Sequence, residues 1–280
     1  SGCSGSGLSL DGSSSSNQEE DITGTGLKIS LDLDDQWISQ KKISYRLEIE
    51  NTGSEEIKLS KENFKLYTLQ VDESGTKSVF TQNSLDKFYD SVFEKEGGAI
   101  YLPQNARVSN VNGQLLIEDW YFQNLNYENF EYTLEIDYPT KTHFNNNIEI
   151  TKSNKNILKV TDKLSQAAPV QITKISITPF ENDIYYLEYL ISNKGSEFAQ
   201  GFEVKLKDFE FNVGSDSLNE CSGFIEVDGT LRKISEENLL LDEDRSQLKY
   251  ICKVNLGDFE DSKTTTTTSG QFEYDYSNII

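Results

Sequence analysis

The sequence predicts an all-β protein made of two tandem Ig-like β-sandwiches, the first carrying one short α-helix. Three observations predict it: apolar residues alternate with polar ones through most of the chain, turn signals recur at short intervals, and the two halves echo each other.

The alternation begins at "GLKISLDLDDQW", where Leu27, Ile29, Leu31 and Leu33 repeat with the period of a half-buried strand. Ile43, Tyr45, Leu47 and Ile49 repeat it, and "NTGSEE" supplies the turn that follows. Further strands fit "FKLYTLQV", "QLLIEDWYF" and "EYTLEIDY". One segment breaks the period. In "NSLDKFYDSVFEKEGG", Leu85, Phe88, Tyr89, Val92 and Phe93 fall at helical spacing, with Ser84 placed as N-cap and Gly97 or Gly98 as the stop. Its aromatic stripe reads as core.

The echo pairs "ISYRLEIENTGSEEI" (43–57) with "YYLEYLISNKGSEFA" (185–199), and "LEIDY" (134–138) with "FEYDY" (272–276). These marks divide the chain into four parts. Residues 1–26 are a Ser/Gly-rich tether or exchanged segment, 27–138 the first sandwich, 139–168 a polar connection with one short strand, and 169–280 the second sandwich.

Composition excludes whole classes of partner. A net charge of −21 and a pI near 4.4 argue against nucleic acid and against docking on anionic lipid, both of which need clustered cations. No apolar stretch reaches the ~18–20 residues that a membrane helix requires. Methionine is absent, residue 1 included, which reads as a processed chain and points to export.

Cys221 and Cys252 lie in alternating runs and point inward, as two cysteines bridging neighbouring strands would. A disulfide closing that separation would stabilise the fold by about 3–4 kcal/mol; two buried free thiols are the alternative. One histidine and no C-x-x-C leave no zinc site. Calcium stays open at the carboxylates of "LDLDDQ" (31–36) and "LLLDEDRSQ" (239–247), although neither has EF-hand spacing. No other cofactor is expected.

An enzyme is not expected. His143 would be the sole histidine base, and no G-x-S-x-G elbow, P-loop or Rossmann fingerprint occurs. The aromatic run "EDWYFQNLNYENFEY" offers a partner-binding patch instead, with Trp120 and Phe122 facing one way along a strand and Tyr121 the other. Packing beneath the helix is the competing account of these rings.

The stretch "SQAAPVQITKISITPFENDIYYLEYLISNKGSEF" (165–198) resembles a module of uncharacterised, lipobox-bearing archaeal cell-surface proteins, in which an Ig-like domain carries an I-x-N-x-G turn. Here that turn is Ile191, Asn193 and Gly195, and "KYICKVNL" and "FEYDY" are similar to the module's closing strands. Through "IENTGSEEIKLSKENFKLY" the first domain is similar to bacterial telokin-like lipoprotein domains. Both resemblances imply a fold and a surface address, and neither brings a catalytic residue.

Cys3, in "SGCSGSG", has no basic neighbour to activate its thiol, and small residues before a Ser/Gly tether match a lipobox, so lipidation is its expected role. The expected protein is extracellular, non-enzymatic and structural: a subunit of a surface filament or layer built by β contacts between subunits. The other reading is a monomeric surface lipoprotein that binds a glycan or protein.

Overall fold

Alternation in the sequence becomes strand pairing in the structure, because each period-two run buries one face and offers its backbone to a neighbour. The computed structural model describes residues 26–34, 41–68, 70–72, 75–93, 98–123, 132–151, 159–160, 165–181, 184–195, 203–235, 239–242, 245–256 and 263–280. Cys3 and the tether expected over 1–26 lie outside the described residues, Gly26 excepted.

In chain order the first strands are β1 (Leu27–Asp34), β2 (Lys42–Asn51), β3 (Ile57–Ser60), β4 (Phe64–Thr68), β5 (Gln70–Asp72) and β6 (Gly75–Lys77). Helix α1 (Gln82–Phe93) follows, then β7 (Ala99–Leu102), β8 (Arg107–Leu116) and helix α2 (Asp119–Gln123). Next come β9 (Tyr132–Thr151), β10 (Lys159–Val160), β11 (Val170–Glu181), β12 (Ile184–Asn193), β13 (Val204–Val213) and β14 (Asp216–Ser217). The chain closes with β15 (Cys221–Val227), β16 (Thr230–Ile234), β17 (Leu240–Leu241), β18 (Gln247–Asn255) and β19 (Lys263–Ile279).

All described pairings are antiparallel. One outer sheet runs β1-β2-β8, and its counterpart runs β11-β12-β18-β15-β16. Between the halves lies a shared sheet, β10-β9-β19-β13-β14, with β4 also on β9 and β17 on β13. Two small ladders, β3-β7 and β5-β6, complete the set. The mainly-β, sandwich-like architecture expected from the sequence is present.

The echo has a geometric meaning. Asn51 and Asn193 end the equivalent strands β2 and β12, and each side-chain oxygen accepts from the glycine two residues on, Gly53 (2.9 Å) and Gly195 (3.0 Å). The backbone N–H groups of these asparagines donate to Ala106 and Ser246, both at 3.0 Å, one residue before β8 and β18. Lys65 on β4 faces Glu135 and bonds Asp137 at 2.8 Å; Lys207 on β13 faces Glu273 and bonds Asp275 at 3.0 Å.

The stretches "LEIDY" and "FEYDY" lie in β9 and β19, which pair over the whole 17-residue length of β19. Tyr138 stands opposite Tyr276, its own equivalent, so a local two-fold relates the strands at that pair, three pairs from one end of the ladder. Residues 139–151, expected within a connection, are the second half of β9. The reason is the partner: Thr140 to Thr151 find β19 along their full length, and an alternating polar run satisfies its backbone there. The short strand expected within that stretch is β10.

Buried tyrosines fasten the outer sheets to this seam. The Tyr138 hydroxyl accepts from Leu27 N–H (3.3 Å) and donates to Asn278 Oδ1 (2.9 Å), at the start of β1. The Tyr274 hydroxyl accepts from Val170 N–H (3.2 Å) at the start of β11, and Tyr276 donates to Asn193 Oδ1 (3.2 Å). A Cβ at Gly195 would lie 1.8 Å from the Tyr276 oxygen, so the loop after β12 comes this close only as glycine. Buried apolar side chains of both halves form one connected core.

Helix α1 buries Leu85, Phe88, Val92 and Phe93 over the first half, as the period-3.6 stripe requires. Its cap is Thr81 rather than Ser84: the Thr81 hydroxyl accepts from Ser84 N–H at 3.3 Å, and Ser84 is buried in the first turn. Gly98, at φ 90°, returns its N–H to Phe93 O at 3.3 Å; Gly97 lies outside the described residues.

Candidate functional site

The aromatic run Trp120, Tyr121 and Phe122 is helical, not extended. β8 ends at Leu116, opposite Lys42 at the start of its partner β2, and pairing beyond it is reduced to a bridge between Ile117 and Phe80. The chain then satisfies its backbone locally, Tyr121 N–H donating to Glu118 O at 3.2 Å. Tyr121 is buried and Trp120 and Phe122 are half-buried against the core, with Lys41 Nζ 5.9 Å from the Phe122 ring. The expected strand-borne platform is therefore replaced by a core-packed turn, and the buried ring is Tyr121.

Cys221 and Cys252 stand opposite each other on β15 and β18 and are joined by a disulfide, with 4.0 Å between Cα atoms. The bond fastens the β15-β16 hairpin to the edge of β18. On this sheet Phe180 and Tyr186 meet at a tilt with ring centres 4.9 Å apart, and Tyr186 shares a shallow site with Ile251 and Phe224. Two neighbouring cations there are paired, Lys253 with Glu220 at 3.1 Å and Lys249 with Glu226 at 3.4 Å.

A cleft of about 660 Å³ crosses the outer face of the shared sheet. His143 and Asn145 of β9 line it opposite Gln271 and Ser269 of β19, with Asn212 of β13 facing Ser269 and Gln166 forming a wall. Gly270 keeps the floor low, since a Cβ there would lie 2.3 Å from the Glu210 carbonyl oxygen. Several polar groups are held in place: Gln271 donates to Glu210 (2.7 Å), Ser217 to Asn212 (3.1 Å) and Gln166 to Glu55 (2.9 Å). Glu55 also lies 3.6 Å from His143 Nε2. Amides and hydroxyls dominate the lining, with Glu210 as its one carboxylate. The sequence singled out His143 alone here; Asn145 and Gln166 fell within the polar connection expected over 139–168.

A third feature is a groove of about 460 Å³ beside β8, between Arg107–Asn112 and the Asp90–Val92 stretch of α1. Among the described residues no strand pairs with the outer edge of β8. At β1 the equivalent backbone is partly covered, since Leu31 O accepts from the Tyr132 hydroxyl at 3.2 Å.

Of the carboxylates considered for calcium, Asp32, Asp34 and Asp242 fall among the described residues. Asp32 and Asp34 lie on β1, Asp242 exchanges backbone hydrogen bonds with Arg245, and the remaining acids of both runs lie outside the described residues. Among the described residues no three metal-ligating side chains converge, and no helix is long and apolar enough to cross a membrane.

No protein-family model matches the chain, and no curated protein does. Among solved structures it is similar to the envelope protein VP37 from White Spot Syndrome Virus, with 13% identity and a TM-score of 0.27, over 49% of this chain and 98% of that one. A likeness of that degree carries no conclusion about what this chain does.

Proposed function

We propose that the protein is a non-enzymatic structural element of the cell exterior, a two-lobed rigid body anchored through Cys3. The observation that carries this reading is the seam: two equivalent halves share one sheet through β9 and β19, with buried tyrosines tying each outer sheet to it. Ordinary tandem domains meet in polar, mobile interfaces. A shared ladder and a common core instead transmit load from one lobe to the other. The disulfide suits an oxidising compartment, and the resemblance of residues 165–280 to archaeal surface lipoproteins supports the same address.

Native-state hydrogen exchange tests the rigid body. Amides of β2 and β12, one in each half, should lose protection in a single cooperative opening together with β9 and β19. Separate opening of the halves would overturn the reading. Surface biotinylation of intact cells should label the protein, and labelling only after lysis would remove the exterior assignment.

A second reading is favoured by the cleft at Asn145, Asn212 and Gln271. Amides and hydroxyls, held in advance by hydrogen bonds beside the Glu210 carboxylate, suit the hydroxyls of a neutral oligosaccharide. Titration of a neutral glycan series against wild type and Gln271→Ala tests it: binding lost in the variant supports the cleft, and no binding by wild type sinks this reading.

A further inference from the structure

β9 and β19 turn alternate residues outward along their whole ladder, and the chemistry of that row changes partway along it. Around the Tyr138 pair the outward residues are charged: Asp137 and Lys141 on β9, Glu273 and Asp275 on β19. From Gln271, opposite His143, they become amides and hydroxyls. Asn145 faces Ser269, and beyond the cleft lining Asn147 faces Thr267. Charge returns at Glu149, opposite Thr265. The intervening Phe144, Asn146, Ile148 and Thr268 are buried, so the row keeps its parity throughout.

Exposure to water does not account for the change. Asp275 and Asn147 are both exposed, on a chain in which 26% of residues are charged. The neutral groups are also held in set directions. Thr267 donates to Asn147 Oδ1 at 3.2 Å, Ser217 to Asn212 Oδ1 at 3.1 Å, and Gln271 to Glu210 at 2.7 Å. Each bond occupies one end of an amide and leaves the other: the N–H groups of Asn147 and Asn212, and the Gln271 carbonyl. Among the described residues the side chains of Asn145 and Ser269 have no protein partner.

We propose that this row is a binding track for a linear, uncharged polysaccharide, which enters the cleft at Gln271 and continues along β9 and β19 over Asn147, Thr267 and Thr265. The proposal deepens the glycan reading of the cleft and rests on it. Rungs on one face lie about 7 Å apart, so the four from Gln271 to Thr265 span about 20 Å, more than a disaccharide covers. Sugar hydroxyls donate and accept, and a row of amides and hydroxyls answers both demands. A polyanion would instead meet Glu210 and Glu149 toward the two ends, on a chain of net charge −21. An extended peptide would find no apolar outward side chain between Gln271 and Thr265 to receive its own. Asn147 and Thr267 are thus specificity residues, which reward chain length.

Calorimetric titration of the full chain with neutral linear oligosaccharides, disaccharide to hexasaccharide, tests this. The probes are the cello-, manno-, laminari- and chito-oligosaccharide series. For one series, wild type should gain at least about tenfold in affinity from disaccharide to hexasaccharide, the equivalent of one or two added hydrogen bonds. Asn147→Ala with Thr267→Val should bind the disaccharide as wild type does, which shows that the variant is folded, and should lose the gain with length. Asp275→Asn, on the charged part of the same ladder, should keep it.

Wild-type affinity that does not change with length, or a length gain that survives Asn147→Ala with Thr267→Val, overturns the track. Disaccharide binding that Gln271→Ala abolishes would then still support the cleft by itself. A wild-type chain that binds no member of any series overturns both the track and the glycan reading of the cleft.

Discussion

Tyr138 on β9 stands directly opposite Tyr276 on β19, with ring centres 6.0 Å apart and both side chains buried. Each is the other's counterpart in the repeat: the Tyr138 hydroxyl bonds Leu27 of its own half and Asn278 of β19, and the Tyr276 hydroxyl bonds Asn193 of its own half. Burial pushes the Tyr276 phenol up to about 12 and raises those of Tyr138, Tyr189 and Tyr274 as well.

Alkaline pH should therefore unfold the protein through the seam. A phenol with a raised folded pKa contributes stability that is complete below its unfolded value near 10 and is lost as pH rises through the folded value. Each buried tyrosine adds a slope of about 1.4 kcal/mol per pH unit in that window. Denaturant midpoints measured from pH 8 to 12 should hold level to about pH 10 and then fall steeply. A flat profile to pH 12 would contradict the buried-phenol account.

Acid should act at different residues. The Arg107 and Arg46 guanidiniums hold Glu48 below the usual carboxylate range. Burial would raise Asp137, but bonds from Lys65 and Ser277 outweigh it and lower it. Depressed carboxylates contribute stability above their unfolded pKa and lose it as pH falls through the folded one. Stability should thus decline below about pH 4, and Lys65→Met should flatten part of that decline.

Removing single seam groups should cost measurable stability. Tyr138→Phe leaves Leu27 N–H and Asn278 Oδ1 without their buried partner, at a cost of about 1–3 kcal/mol. Gly195→Ala drives a methyl against the Tyr276 hydroxyl and should cost a similar amount, about 1–3 kcal/mol. Chemical denaturation reads both, and a neutral Gly195→Ala would show that the loop yields.

Reduction of the disulfide should lower stability by about 3–4 kcal/mol, from its 31-residue separation. The loss should appear first as faster amide exchange in β15 and β16, with β9 and β19 still protected. Equal loosening everywhere would mean that the bond supports the whole core rather than the hairpin.

At the aromatic turn, Tyr121→Ala should destabilise by about 3–5 kcal/mol, as truncation of a buried ring does. Trp120→Ala and Phe122→Ala, both half-buried, should cost less. Equal effects in all three would revive a role for the run as a unit.

What the sequence by itself determined was local and periodic. Alternating apolar residues specified β2, β12 and β18, helical spacing specified α1, and the facing of Cys221 and Cys252 anticipated their bond, because side-chain period is a property of a few neighbouring residues. Only the tertiary structure decided which strands meet. "LEIDY" and "FEYDY" read as two domain ends, and their mutual pairing at Tyr138 and Tyr276 joins positions far apart in the chain. The run at Trp120 alternates like a strand yet coils, because the ladder that would have held it ends at Lys42. The polar cleft at Asn145 and Gln271 and the open edge of β8 have no signal in composition either, since both depend on what lies beside a strand and not on what lies within it.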